Sequence, residues 1–315
     1  MIRITPSLFL AILLGLCLHV ASAQAQYVHT CVSAARGDDA NTCHCTQPCR
    51  SFQRAHDQTI DQGQITVLDP GGYGMVTITK SISIVNDEVG AASIIVSEGY
   101  TGITINAPAD AGYVNLRGIT IQGMGVQFGG SVGLILNTGF ALTMTNCVVS
   151  NHTSNAIMFQ PVGGFSELAV SDTLVNDNGS IGIYVRARGS GVIKAALSRV
   201  EAYNNGAGIV VQGDTGIVNA TVTDSVSTNN NGDGVAVASP GGGTTNVMVI
   251  RSTLANNNDG LRADNASATL RVGQSTITGN RFSWQNNGSN LRSYGDNNID
   301  GNGDGDPAIP VIAKK

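Results

Sequence analysis

From Leu142 onward the chain repeats one short alternation of apolar and polar positions. Leu142-Thr-Met-Thr-Asn146, Leu168-Ala-Val-Ser-Asp172, Ala195-Ala-Leu-Ser-Arg199, Ala220-Thr-Val-Thr-Asp224 and Leu270-Arg-Val-Gly-Gln274 each place small or apolar residues at i and i+2, then stop at a polar anchor. Met248-Val-Ile250-Arg-Ser252 reads as a sixth copy, with Ser252 as its anchor and Arg251 as the alternative. Five residues past most anchors stands an amide or an acid: Asn151, Asp177, Asn204, Asn229 and Asn257. A second alternation follows, at Ile157–Phe159, Ile183–Val185, Ile209–Val211, Val235–Val237 and Leu261–Ala263. Bends such as Asn204-Asn-Gly and Asn229-Asn-Asn-Gly separate the two.

A period of two predicts strands whose i and i+2 side chains share one face. The anchors recur every 22 to 28 residues, room for two or three strands rising ~3.3 Å per residue. The absence of a helical period within these repeats excludes helical and leucine-rich solenoids, and a propeller blade needs about 40 residues. The remaining solution is a coil of short strands, each stacked in parallel on its equivalent one turn away. Inward residues such as Val211 then form columns intolerant of charge. Asn and Gly suit the bends because they tolerate left-handed backbone, and Asn side chains can stack and hydrogen-bond from coil to coil. On this reading Asn230, in a bend, tolerates replacement by Asp.

The earlier chain continues less regularly, with strands expected at Ile65–Leu68, Val76–Ile78, Ile82–Val85, Ile94–Val96, Ile103–Ile105 and Val114–Leu116. Gln64-Ile-Thr-Val-Leu-Asp-Pro-Gly-Gly-Tyr73, followed by Val76-Thr-Ile-Thr-Lys-Ser-Ile-Ser-Ile-Val85, resembles the opening coils of pectate-lyase-like β-helix proteins. The resemblance spans Gln64 to Asn302 and implies an all-β fold, a single right-handed parallel β-helix. As an activity it implies β-elimination on uronic-acid polymers, with calcium held by acidic side chains and a basic residue taking the proton beside the carboxylate. A related glycosidase group carries Asn-Thr-Asp, paired Asp, Gly-His-Gly and Arg-Ile-Lys motifs. Only the paired Asp occurs here, Asp38-Asp39, and it falls in a cysteine-rich segment, so glycosidase chemistry gains no support.

Composition agrees with a turn-rich β protein: 40 of 315 residues are Gly, charged residues make up 12% and aromatics 5%. Residues 1–25 read as a cleavable leader, with Arg3, the apolar run Leu8 to Val20, and small-x-small sites at Ala21-Ser22-Ala23 and Ala23-Gln24-Ala25. The run is too short to span a bilayer and no spanning stretch follows, so a secreted or periplasmic protein is expected. Residues 26–63 form a disulfide-rich N-terminal cap, 64–302 the β-helix and 303–315 a C-terminal tail. Within the cap, Pro48 to Gln62 can form a short helical cover, with Phe52, Ala55 and Ile60 on one face. Export favours disulfides. Cys31, Cys43, Cys45 and Cys49 allow three pairings, among which the sequence does not choose. Zinc is the rival reading, but the adjacent Cys43, His44 and Cys45 fit metal-site spacing poorly. Cys147, between apolar residues, reads as a small buried hydrophobe. A net charge of −5 argues against a nucleic-acid partner.

The candidate chemistry is sparse. Arg186, Arg188, Lys194 and Arg199 crowd one stretch beside Tyr184, and Gln160 and Gln212 fall one coil to either side of Arg186. An aromatic face with forked donors suits a sugar, which points to a polysaccharide ligand. In the enzymatic alternative these basic residues would serve as base and carboxylate clamp, and Tyr184 as proton donor. A second column, Asn146, Asp172, Arg199, Asp224, sets Arg199 between two carboxylates and reads as an ion ladder. Asp300, Asn302, Asp304 and Asp306 resemble the start of a calcium loop, although the closing Glu of an EF-hand would fall on Val311. No cofactor is expected, with calcium at these four residues as the alternative. The expectation is an exported β-helix that binds a polysaccharide, or alternatively a polysaccharide lyase; the oligomeric state is open.

Overall fold

A computed structural model describes residues 27–87, 89–125 and 132–314; the expected leader lies outside them. Successive short strands wind into a right-handed parallel β-helix with three faces. The first face stacks Thr59–Val67, Ile82–Val85, Tyr113–Arg117, Ala141–Thr145, the first parts of Phe165–Asn176 and Val192–Tyr203, then Ile217–Thr223, Thr244–Ile250, Ala268–Gly273 and Asn290–Ser293. The second face begins across a sharp corner and runs from Gly71–Gly72 through Ala92–Val96 to Asn298–Ile299. The third, among the described residues, is a sheet of nine strands, from Val76–Ile78 to Phe282–Asn287. Each strand expected from the alternation lies within or overlaps an observed strand. Among the described residues no helix is long and apolar enough to cross a membrane.

The sequence anchors are the first corner. Asn146, Asp172, Arg199, Asp224, Arg251 and Gln274 all have φ between 47° and 53°. The left-handed conformation turns the chain through the corner in one residue. The sixth anchor is therefore Arg251, not Ser252. Ser252 lies one residue further, in a column of buried hydroxyls: Ser225 Oγ accepts from Val200 N (3.1 Å), Ser252 Oγ from Ser225 N (3.2 Å) and Ser275 Oγ from Ser252 N (3.2 Å). The second corner repeats the device at Asn151, Asp177, Asn204, Asn229 and Asn256. In that copy the left-handed residue is Asn256 and not Asn257.

One residue past the second corner runs a buried ladder of amides. The Nδ2 of Asn178 donates to Oδ1 of Asn205 (2.8 Å), and the pattern continues to Asn230 (3.2 Å), Asn257 (2.9 Å), Asn280 (3.1 Å) and Asn302 (3.0 Å). Each Oδ1 also accepts the backbone N–H of the preceding rung, as in Asn205 N to Asn230 (3.0 Å). Each Nδ2 also reaches a carbonyl further back, as in Asn230 to Ala202 (3.2 Å). Asn230 is thus a buried rung and not a tolerant bend residue. The glycines that follow serve space and not φ: a Cβ on Gly208 would lie 2.0 Å from Ser227 Oγ and 2.7 Å from Gly234 O.

Between the corners the inward columns are continuous. Leu142, Leu168, Ala195, Ala220, Val247 and Leu270 line one, and Ile157, Ile183, Ile209, Val235 and Leu261 another, all buried. Cys147 joins this core, and burial pushes its thiol up to about 11. At the N-terminal end Tyr27–Val32 adds a strand on Thr59–Val67. Disulfides Cys31–Cys45 and Cys43–Cys49 pin the loop above it. The covering helix is shorter than expected, Phe52–Gln58, capped by Ser51, whose Oγ accepts from Arg54 N (3.2 Å). Phe52 and Ala55 are fully buried, whereas Ile60 already belongs to the following strand. At the other end the tail folds back: Ser293 N donates to Pro310 O (2.9 Å), Ile312 N to Ser293 O (2.8 Å), and Ile309 is buried over the last coil.

Two substitutions test the core and the ladder. Val211→Asp forces a carboxylate into a fully buried apolar column. Asn230→Asp sets carboxylate oxygens against Oδ1 of Asn257 and O of Ala202 where an N–H₂ now donates. Each is expected to cost about 2–5 kcal/mol in urea denaturation. A wild-type midpoint for Asn230→Asp would show that the ladder adds nothing.

Two titrating groups, the buried His152 and the half-buried Asp233, oppose each other in one pH window. Burial pushes the His152 imidazole down to about 4, only partly offset by the Ile121 carbonyl. Burial, with a hydrogen bond to the in-register Asp259, pushes the Asp233 carboxyl up to about 7. Between pH 4 and 6.5 the unfolded chain protonates His152 more than the native state does, so this group makes stability rise with pH. Asp233 keeps its proton in the native state where the unfolded chain has lost it, so its contribution is full below about pH 4 and is lost as pH rises through 7. Urea midpoints at pH 5 and 7 should then diverge. Asp233→Asn gives stability that rises with pH, and His152→Asn gives stability that falls. Parallel profiles would refute the two shifts.

Candidate functional site

The solenoid distributes the basic cluster of the sequence over four places. Tyr184 and Arg186 project from the third face, in Ile181–Ala187, with Gln212 in register beside Arg186. Tyr184 Oη donates to Gln212 Oε1 (2.9 Å). Arg186 Nε donates to Asp214 Oδ2 (2.8 Å), and Gln212 Nε2 donates to the other oxygen of the same carboxylate. Gln160, one coil back, donates to Asn137 Oδ1 (3.3 Å). Arg188 is exposed in the loop that follows. Lys194 lies on the first face and Arg199 at the first corner.

Electrostatics explain what this group does. Burial alone would raise the Asp214 carboxyl, but its hydrogen bonds to Arg186 and Gln212 more than offset that and hold it below the usual range. Arg186 is correspondingly raised by Asp214. The guanidinium is already spent inside the protein. The corner column is an ion ladder of separate pairs: Arg199 grips Asp172 through two bonds (2.6 and 2.8 Å), and Arg251 grips Asp224 likewise (2.7 and 2.8 Å). Each guanidinium lowers its partner carboxyl.

The calcium-like segment closes the solenoid. Asn302 is the last rung of the ladder, and Asp306 Oδ1 accepts its backbone N–H and its Nδ2 (both 2.8 Å) in place of a further amide. Asp304 Oδ2 accepts from Ser283 N and Oγ (both 2.8 Å). Asp300 is exposed at the turn.

The open feature lies elsewhere, on the first face. Its outward positions form one in-register row: Asn115, Thr143, Ala169, Ala196, Thr221, Met248, Arg271 and Arg292. The small residues Thr143, Ala169, Ala196 and Thr221 are exposed and make a shallow floor. Glu167 and Lys194, in register on adjacent strands, stand beside it. One wall is aromatic. The rings of Tyr113, Phe140 and Phe165 stack coil on coil at 5.0 and 5.7 Å, and Lys194 Nζ sits 5.0 Å over Phe165. Val192 and exposed Ile217 continue that wall. Four depressions line the face, of about 320, 280, 320 and 780 Å³. The largest is bounded by Arg271, Asn290, Arg292, Tyr294 and the returning tail at Ile312 and Lys314.

Of the candidates drawn from the sequence, only Lys194 lines this trough. The aromatic wall is hidden in the sequence because each ring stands before the alternation that marks the repeat, at Tyr113-Val114, Phe140-Ala-Leu142 and Phe165-Ser-Glu-Leu168. The rings fall one, two and three positions ahead of Val114, Leu142 and Leu168, so no in-register repeat marks them. The two arginines share a plainer signal, the repeated Leu270-Arg271 and Leu291-Arg292.

No protein-family model and no curated protein sequence matches the chain. Solved structures do. Pectate lyase Pel9A superposes with a TM-score of 0.51 at 14% identity, over 84% of this chain and 67% of its own. Pectin methylesterase PemA from Erwinia chrysanthemi superposes with a TM-score of 0.50 at 10% identity, over 78% of this chain and 88% of its own. The chain has the pectate-lyase-like fold. At these identities the likeness of such β-helices is one of architecture, and the residues of the trough are this chain's own.

The two guanidinium environments predict different costs of removal. Arg199→Ala removes an exposed surface pair and should leave the melting temperature unchanged. Arg186→Ala strands the partly buried Asp214 carboxylate and should lower it measurably. Equal melting temperatures in a thermal scan would show that Arg186 is not structural.

Proposed function

We propose that the protein binds a polysaccharide chain laid along its first face. The observation that carries this is the aromatic row Tyr113, Phe140 and Phe165, exposed at Tyr113 and half-buried at the two phenylalanines, beside an exposed floor of Thr and Ala. Ring faces take the apolar side of a sugar, and small outward residues let it approach the strand backbone. The trough runs across successive strands about 4.8 Å apart, so it presents similar contacts at regular intervals, as a repeating polymer requires. The solved structures that share the fold are named for enzymes of pectate and pectin, which supports a polysaccharide ligand. The two disulfides support an extracellular or periplasmic site of action.

β-Elimination is the second reading, and one observation favours it. Of the candidate bases Arg186, Arg188, Lys194 and Arg199, Lys194 alone projects into the trough, beside Glu167. Under that reading Lys194→Ala abolishes formation of unsaturated products and spares binding.

The binding reading is tested on a polysaccharide array with the wild type and Phe140→Ala/Phe165→Ala. Loss of two stacking rings is expected to weaken binding at least tenfold, by analogy with aromatic stacking worth about 1–3 kcal/mol per ring. An unchanged array signal would move the site off the first face.

A further inference from the structure

The trough is uneven in charge, and the unevenness selects among glycans. Its aromatic half carries Glu167 and Lys194 in register, which cancel. Arg117 at its edge is already paired with Asp87. Its C-terminal end carries Arg271 and Arg292, in register on adjacent strands and both half-buried in the 780 Å³ cavity. Among the described residues neither has an acidic partner within ion-pair distance, whereas the neighbouring Asp296 is held by Lys314 (2.7 Å). Like charges directly opposite on adjacent strands destabilise a sheet, and partial burial strengthens their repulsion. Four of the six corner anchors show what this chain does when it can pair a charge: Asp172 with Arg199, Asp224 with Arg251. Arg271 and Arg292 break that habit where the surface is hollow.

We infer that Arg271 and Arg292, at the C-terminal end of the trough, together bind one anionic substituent, a carboxylate or a sulfate, on a glycan whose remaining sugars are uncharged. Two planar guanidiniums one strand apart can clamp a single tetrahedral or planar anion with forked bonds. The aromatic half contradicts a uniformly charged polymer, because the exposed Glu167 carboxylate would face an acidic sugar. Phe165 and Arg271 are four strands apart, about 19 Å, so one ligand reaching both must be an oligosaccharide. This rests on the trough being the glycan-binding face.

Titration calorimetry with oligosaccharides of equal length separates the cases. The series is neutral, singly carboxylated at one end, singly sulfated at one end, and fully uronate. The singly charged members are expected to bind at least tenfold more tightly than the neutral one and the polyuronate, with affinity that falls as salt rises. Arg271→Gln/Arg292→Gln should erase that preference and the salt dependence, leaving neutral binding unchanged. Glu167→Gln should raise polyuronate affinity several-fold. Polyuronate binding as tight as the singly charged members, or a preference that survives loss of both arginines, overturns the inference. Arginine-dependent binding that Phe140→Ala/Phe165→Ala leaves untouched sustains the anion site and overturns the trough reading. The absence of binding by any member overturns both.

Discussion

Each buried asparagine of the second corner does the work of two groups at once. Its Oδ1 takes an N–H that the corner leaves without a strand partner, and its Nδ2 hands a proton to the next rung. A corner made in one left-handed residue interrupts the sheet, and an unpaired buried N–H would cost about 1–3 kcal/mol. The amide is the side chain that supplies acceptor and donor together in that space. Because each rung needs the next, the ladder fixes register from coil to coil, and with it every inward column. It must also end on something. At the C-terminal end that is the Asp306 carboxylate, accepting where no further Asn exists. At the other end it is His152, whose backbone N–H feeds Asn178 (3.0 Å) while its imidazole is held neutral by burial.

That requirement accounts for features of the sequence that resemble something else. The Asp300 to Asp306 run resembles a calcium loop because ending a ladder and gathering a cation both call for carboxylate oxygens at alternate positions; Asn302 and Asp306 are consumed by the former. In the sequence Asn230 resembles a bend residue because the bend itself, Asn229, is its neighbour and the same residue type. A left-handed asparagine and a ladder asparagine cannot be told apart by composition, only by offset from the strand. The same one-residue offset separates Arg251 from Ser252.

The fold was legible because its causes are local and repeated: inward columns at i and i+2, polar anchors at a fixed phase, and cysteines bunched in one cap. The site was less legible because outward positions carry no periodic constraint. Tyr184, Arg186, Arg188, Lys194 and Arg199 are neighbours in sequence yet fall on two faces, a loop and a corner, since a coil of about 25 residues turns through the whole circumference. Conversely, Tyr113, Phe140 and Phe165 lie a coil apart in sequence and touch in space.

This separation of duties shapes what the molecule can become. Register is set at the corners and in the interior, so an outward side chain on the first face can change without moving its strand. The third face has used that freedom for internal bonds, where Arg186, Gln212 and Asp214 satisfy one another. The first face packs its rings against one another and, among the described residues, leaves its two arginines without an acidic partner beside a small exposed floor. Unsatisfied groups that recur in register at one-strand intervals are costly alone and useful only to a ligand with a repeat of its own. The same stacking that makes the solenoid stable thus makes it a ruler, and the ruler's graduations are the side chains its own fold does not need.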